Sequence, residues 1–89
     1  MGVITFLGEE LAQIIDRKTI AANGIIRLAL VDDHGRGFGA LNIAMIKKTF
    51  SSGLIQRLEK AGIENPPEVV KKMKAYLIKH QSVIAMMAI

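Results

Sequence analysis

From Asn65 onward, Val69, Val70, Met73, Tyr76, Leu77, His80, Val83, Ile84 and Met87 recur at three- and four-residue spacing, which places them on one face of a helix. Asn65 suits an N-cap and Pro66 or Pro67 the first helical turn, where a missing N–H costs nothing. The pattern predicts one long helix from Asn65 to Ile89. After Ser82 its polar side disappears, and the seven residues Val83 to Ile89 are apolar without interruption. Such a run cannot turn every side chain toward one small core. It is expected to be covered by the rest of the fold, a second copy or a partner. The residues expected at that interface are Tyr76, Ile78, His80, Val83, Ile84, Met86, Met87 and Ile89.

Upstream, Leu7, Leu11, Ile14, Ile15, Ala21 and Ala22 follow a helical repeat with Glu9, Glu10, Gln13, Asp16 and Arg17 opposite, and Asn23-Gly24 supplies a stop. Gly2 to Leu7 reads as a short strand or a lead-in segment. Ile25 to Asp32 alternates, with Ile26, Leu28 and Leu30 on one side and Arg27 on the other, and predicts a strand. A helix is the rival there, but it would carry Gly24 in its interior at about 1 kcal/mol. Asp32 to Gly37 has turn chemistry, and Phe38 to Ile46 reads as a second strand, so the pair predicts a hairpin. Ser51 or Ser52 caps a short helix to about Ala61, and Gly62 closes it. The expected fold is a single α+β domain over residues 1–89: an N-terminal helix, a central β-hairpin with an optional third short strand at the N-terminus, and two C-terminal helices, the last one long.

Hydrophobic residues make up 51% of the 89 but aromatics only 4%, with no Trp, so the core has to be aliphatic. A chain of this size buries a marginal core, and a second chain would help it. Lys and Arg number 12 against 8 acidic residues, a formal net charge of +4; this permits nucleic acid or an acidic partner without demanding either. The absence of cysteine excludes disulfides, thiolate metal sites and thiol nucleophiles, and a cytoplasmic protein is the natural expectation. Met1 to Leu7 lacks the basic and long apolar regions of a signal peptide, and Glu9 and Glu10 follow too soon. The apolar C-terminal run is far short of the roughly 20 residues that span a bilayer.

The glycines of His34-Gly35-Arg36-Gly37-Phe38-Gly39 invite a phosphate-loop reading. Their spacing matches neither a P-loop nor a dinucleotide fingerprint, and a strand is expected to follow where those motifs need a helix. Arg36-Gly37-Phe38-Gly39-Ala40-Leu41-Asn42-Ile43 resembles the opening of the RNA-recognition-motif signature, in which a strand presents aromatics to stacked bases. The resemblance covers roughly residues 2 to 61 in element order and implies RNA contact through Arg36, Phe38, Lys47 and Lys48. Only Phe38 fills an aromatic position of that signature; Ala40 and Ile43 stand where others belong.

His34 and His80 are the only imidazoles, too few for a histidine-only metal site. His34 beside Asp32 and Asp33 reads as a solvated turn, and His80 as a packed histidine on the apolar stripe. No nucleophile completes an acid–base set with Asp16 and Arg17 or with Asp32 and Asp33, so no reaction is legible and no cofactor is implied. Met73, Met86 and Met87 suit either core filling or an adaptable binding surface. The expected function is a small non-catalytic module that associates through its C-terminal helix, as a homodimer or as a subunit of a larger complex. The alternative is an RNA-type nucleic-acid-binding domain using the RGFG hairpin.

Overall fold

The computed structural model describes residues 2–87, and every regular element among them is an α-helix. The six are α1 (Val3–Ile15), α2 (Thr19–His34), α3 (Ile43–Ser51), α4 (Gly53–Lys60), α5 (Pro66–Lys79) and α6 (Gln81–Met87). The expected α+β fold with its central hairpin is therefore wrong: the described chain contains no strand.

Burial explains the error. A strand over Ile25 to Asp32 would put Ile26, Leu28 and Leu30 on one side. Instead Ala22, Ile25, Ile26, Ala29 and Leu30 are buried while Arg27 and Leu28 face outward, a helical period. Asn23 and Gly24 do not stop this helix; they lie in its second turn. Gly24 stays in the helix with open space where a Cβ would be, and the close approach of α1 falls one residue earlier: a Cβ added to Gly8 would sit 1.6 Å from Asn23 Oδ1. The real stop comes earlier, at Asp16, whose φ of 54° is left-handed and ends α1, with Arg17 N–H donating to the Ala12 carbonyl at 3.0 Å. The single helix expected from Gly8 to Ala22 is thus the end of one helix and the start of another.

The second expected strand, Phe38 to Ile46, is also absent: it is loop up to Asn42 and helix from Ile43. Asn42, which interrupts the apolar run, is the N-cap of α3 and accepts a hydrogen bond from Met45 N at 2.9 Å. Ile46, Thr49 and Phe50 then turn inward, with Lys47 and Lys48 outside. Residues 35–42 form the connection, in which Gly35, Gly37 and Gly39 all take positive φ, a conformation that favours glycine.

The last helix starts where expected, with Pro66 and Pro67 in its first turn, but it does not run unbroken. His80 leaves helical geometry (φ −114°, ψ 18°) and divides α5 from α6. The backbone stays connected on both sides, because His80 N–H donates to Tyr76 O and His80 O accepts from Ile84 N–H. After the break α6 packs on α3 and α5 and drives Ile84 into the core. One core joins all six helices, from Leu7 and Leu11 through Ile26, Leu30, Phe50, Leu54, Leu58, Met73 and Leu77 to Ile84.

Candidate functional site

The Asp32-Asp33-His34 cluster is a staple that binds the end of α2 to two other helices. Asp32 forms a two-point ion pair with Arg57 of α4, Nε to Oδ2 at 2.6 Å and Nη2 to Oδ1 at 2.8 Å. The guanidinium's hydrogen bonds hold the Asp32 carboxyl below its usual range, and in return the carboxylate raises Arg57. Asp33 Oδ2 accepts from Ser52 Oγ at 2.9 Å and from Gly53 N–H at 3.1 Å, which caps α4 from across the bundle. His34 Nε2 donates to the Met45 carbonyl of α3 at 3.1 Å. His34 is therefore half-buried and hydrogen-bonded, not the free turn residue expected. Among the described residues no three His, Asp or Glu side chains gather as metal ligands.

The residues expected at an interface divide. Ile84 is fully buried in its own chain. Tyr76 and His80 are half-buried and pack with Phe6 of α1: the Tyr76 and His80 rings lie 4.4 Å apart, Phe6 and Tyr76 5.6 Å, and Phe6 meets His80 edge-on at 5.8 Å. Burial, reinforced by Glu10 and Glu9, raises the Tyr76 hydroxyl above its ordinary pKa. Met87 is half-buried against the core. Three others stay in water: Ile78 at 61% exposure, Val83 at 47% and Met86 at 74%. Ile89 lies outside the described residues.

Ile78 does not stand alone. With Leu77 and Lys74 of α5 and Lys47 and Ser51 of α3 it lines a cavity of about 310 Å³. An exposed aliphatic side chain is thus placed in a groove that carries two ammonium groups. Lys47, expected beside Phe38, belongs to this groove.

A second concavity lies along the glycine connection. Arg36, Gly37, Phe38 and Gly39 line a cavity of about 390 Å³ together with Arg27, Leu28 and Val31 of α2. Phe38, Gly39 and Arg27 also line its neighbour, of about 340 Å³, with Val3, Ile4, Leu41 and Met87. Arg36 and Phe38 line the same cavity, and neither cavity includes Lys47 or Lys48. Phe38 sits in a loop, so the strand that would display it to stacked bases is absent. Arg27 went unrecognised because an alternating strand sends it to an uninteresting polar side; the helical repeat of Ala22, Ile26 and Ala29 is the signal that places it beside this loop.

Among the described residues no helix is long and apolar enough to cross a membrane. No protein-family model matches the chain, and no curated protein or solved structure matches it.

Proposed function

We propose that the protein is a non-catalytic docking module whose α3–α5 face, centred on Ile78, receives an acidic amphipathic segment of a partner protein. The supporting observation is the position of Ile78, 61% exposed in a groove with Lys47 and Lys74. Covering that side chain contributes on the order of 1–2 kcal/mol, and the ammonium groups select the charge of whatever covers it. Lys48 and Lys71 are also exposed and extend the positive field along α3 and α5. A second copy is the poorer occupant, because a two-fold axis through this face would set the same lysines against each other. Val83 and Met86 add exposed apolar surface on α6, where a flexible thioether adapts to varied side chains.

The test is a titration of the labelled protein with an amphipathic helical peptide, leucines on one face flanked by glutamates, followed by amide chemical shifts. Shifts centred on Lys47, Lys74 and Ile78, lost in Ile78→Asp and absent with a lysine-flanked peptide, are expected. Equal binding of both peptides, or a dimer in sedimentation that Ile78→Asp dissolves, would overturn the choice of partner. Displacement of the peptide by single-stranded RNA from these same residues would do so as well.

A further inference from the structure

We infer that the cavity between α2 and the glycine connection is a second, independent site, which binds a small molecule carrying a phosphate or carboxylate on a flat apolar body. Arg27 and Arg36 line one cavity from two different segments, and among the described residues neither is paired with a carboxylate. The acidic groups nearest in sequence are engaged elsewhere: Asp32 with Arg57 and Asp33 with Ser52 and Gly53. Two unneutralised guanidiniums on one concavity attract an oxyanion, and each offers it a planar fork of donors.

The backbone points to the same chemistry. Arg36 and Gly37 form a tight turn after α2, and among the described residues the backbone N–H groups of Gly39, Ala40 and Leu41 make no hydrogen bond to an acceptor within the protein. Donors in this loop without an acceptor among the described residues are open to water or a ligand, and Gly37 and Gly39, at φ 68° and 72°, take backbone that favours glycine. The α3 N-terminus is already occupied by the Asn42 side chain, so the anion would be held by the arginines and the loop amides. The rest of the lining supplies the apolar half of the ligand's recognition. Phe38, half-buried, offers a ring against which a flat body stacks, and Leu28 and Val31 border it from α2. At about 390 Å³ the cavity falls within the size range of small-molecule sites.

The site is tested by amide chemical-shift titration of the whole protein with phenyl phosphate, benzoate, inorganic phosphate and benzyl alcohol. Saturable shifts at Gly37, Phe38 and Gly39 are expected with phenyl phosphate or benzoate, the tighter of the two identifying the oxyanion. Inorganic phosphate and benzyl alcohol, each carrying half of the recognition, are expected to bind at least tenfold more weakly. Arg27→Gln and Arg36→Gln should each weaken the aryl anion about tenfold, the loss from one charge-assisted contact, with an unchanged melting temperature. Inorganic phosphate binding as tightly as phenyl phosphate, shifts centred on Lys71, Lys72 and Lys74, or full affinity in both arginine variants would overturn it. These results leave the peptide titration of the Ile78 face unaffected.

Discussion

Gly53 N–H donates to Asp33 Oδ2 at 3.1 Å, so a carboxylate in the last turn of one helix caps the first turn of another twenty residues later. The contact requires glycine. A Cβ at residue 53 would lie 2.7 Å from that same oxygen and 2.9 Å from the Ala29 carbonyl, and the second neighbour is backbone that cannot swing aside. Asp33→Ala should cost about 1 kcal/mol, as for loss of an N-cap. Gly53→Ala should cost about 1–3 kcal/mol through overpacking. Urea unfolding checks both; a neutral Gly53→Ala would mean that α2 and α4 are not this close.

Gly8 and Asn23 make a similar interlock between α1 and α2. Because the obstacle to a Cβ at Gly8 is mainly the Asn23 side chain, at 1.6 Å from Oδ1, Gly8→Ala should force that side chain to swing aside and destabilise the wild type by about 1 kcal/mol, less than Gly53→Ala, where backbone blocks the way. In an Asn23→Ala background the loss should shrink by at least about 0.5 kcal/mol, a coupling that a double-mutant cycle reads directly. Strict additivity would separate the two positions.

Asp32 gives stability a direction with pH. Its folded pKa is lowered, first by the hydrogen bonds from Arg57. Its contribution is therefore present above the ordinary carboxylate pKa of about 4 and is lost as pH falls through the lower folded value. Asp32→Asn should flatten that part of the acid limb. Because the pair is solvent-exposed the effect should be small and reduced by salt, and melting temperatures at low pH in low and high salt provide the check.

Tyr76 acts at the other end of the scale. Burial beside Phe6 and His80, with Glu10 and Glu9 adding repulsion, raises its pKa, so the folded chain prefers the neutral phenol. That preference is fully present below the ordinary value of about 10 and is lost as pH rises through the raised folded value. Tyr76→Phe should resist alkaline unfolding better than the wild type. Phenolate absorbance and circular dichroism, followed together, should change together.

The helical third of the chain with the clearest punctuation was readable. Pro66 and Pro67 marked the start of α5, and Ser52 and Gly62 bracketed α4 with Leu54 and Leu58 inward. The middle was misread because Ile25 to Val31 is apolar on nearly every position, a composition that strand and buried helix share. Asn23-Gly24 resembles a stop, but Asn23 is held inside α2, its side chain seated against Gly8 of α1, a reason found only in the tertiary contact. At Asp16 the reverse happened: a helix ended in left-handed backbone without glycine. His80 breaks the last helix with neither glycine nor proline, and its aromatic neighbour Phe6 lies at the opposite end of the sequence. Arg36 and Phe38 can be grouped from sequence because only Gly37 separates them; Arg27 and the groove around Ile78 depend on which helices meet.

Ile78 and Ile84 sit six residues apart near the same chain end, yet one is exposed at 61% and the other is fully buried. The direct measurement is the acidic-peptide affinity and melting temperature of Ile78→Asp beside those of Ile84→Asp. Ile78→Asp should keep the wild-type melting temperature and lose the peptide, while Ile84→Asp should lose the fold, as a buried carboxylate without a partner requires. An Ile78→Asp protein that binds the peptide as tightly as wild type, or that melts as early as Ile84→Asp, would contradict the account.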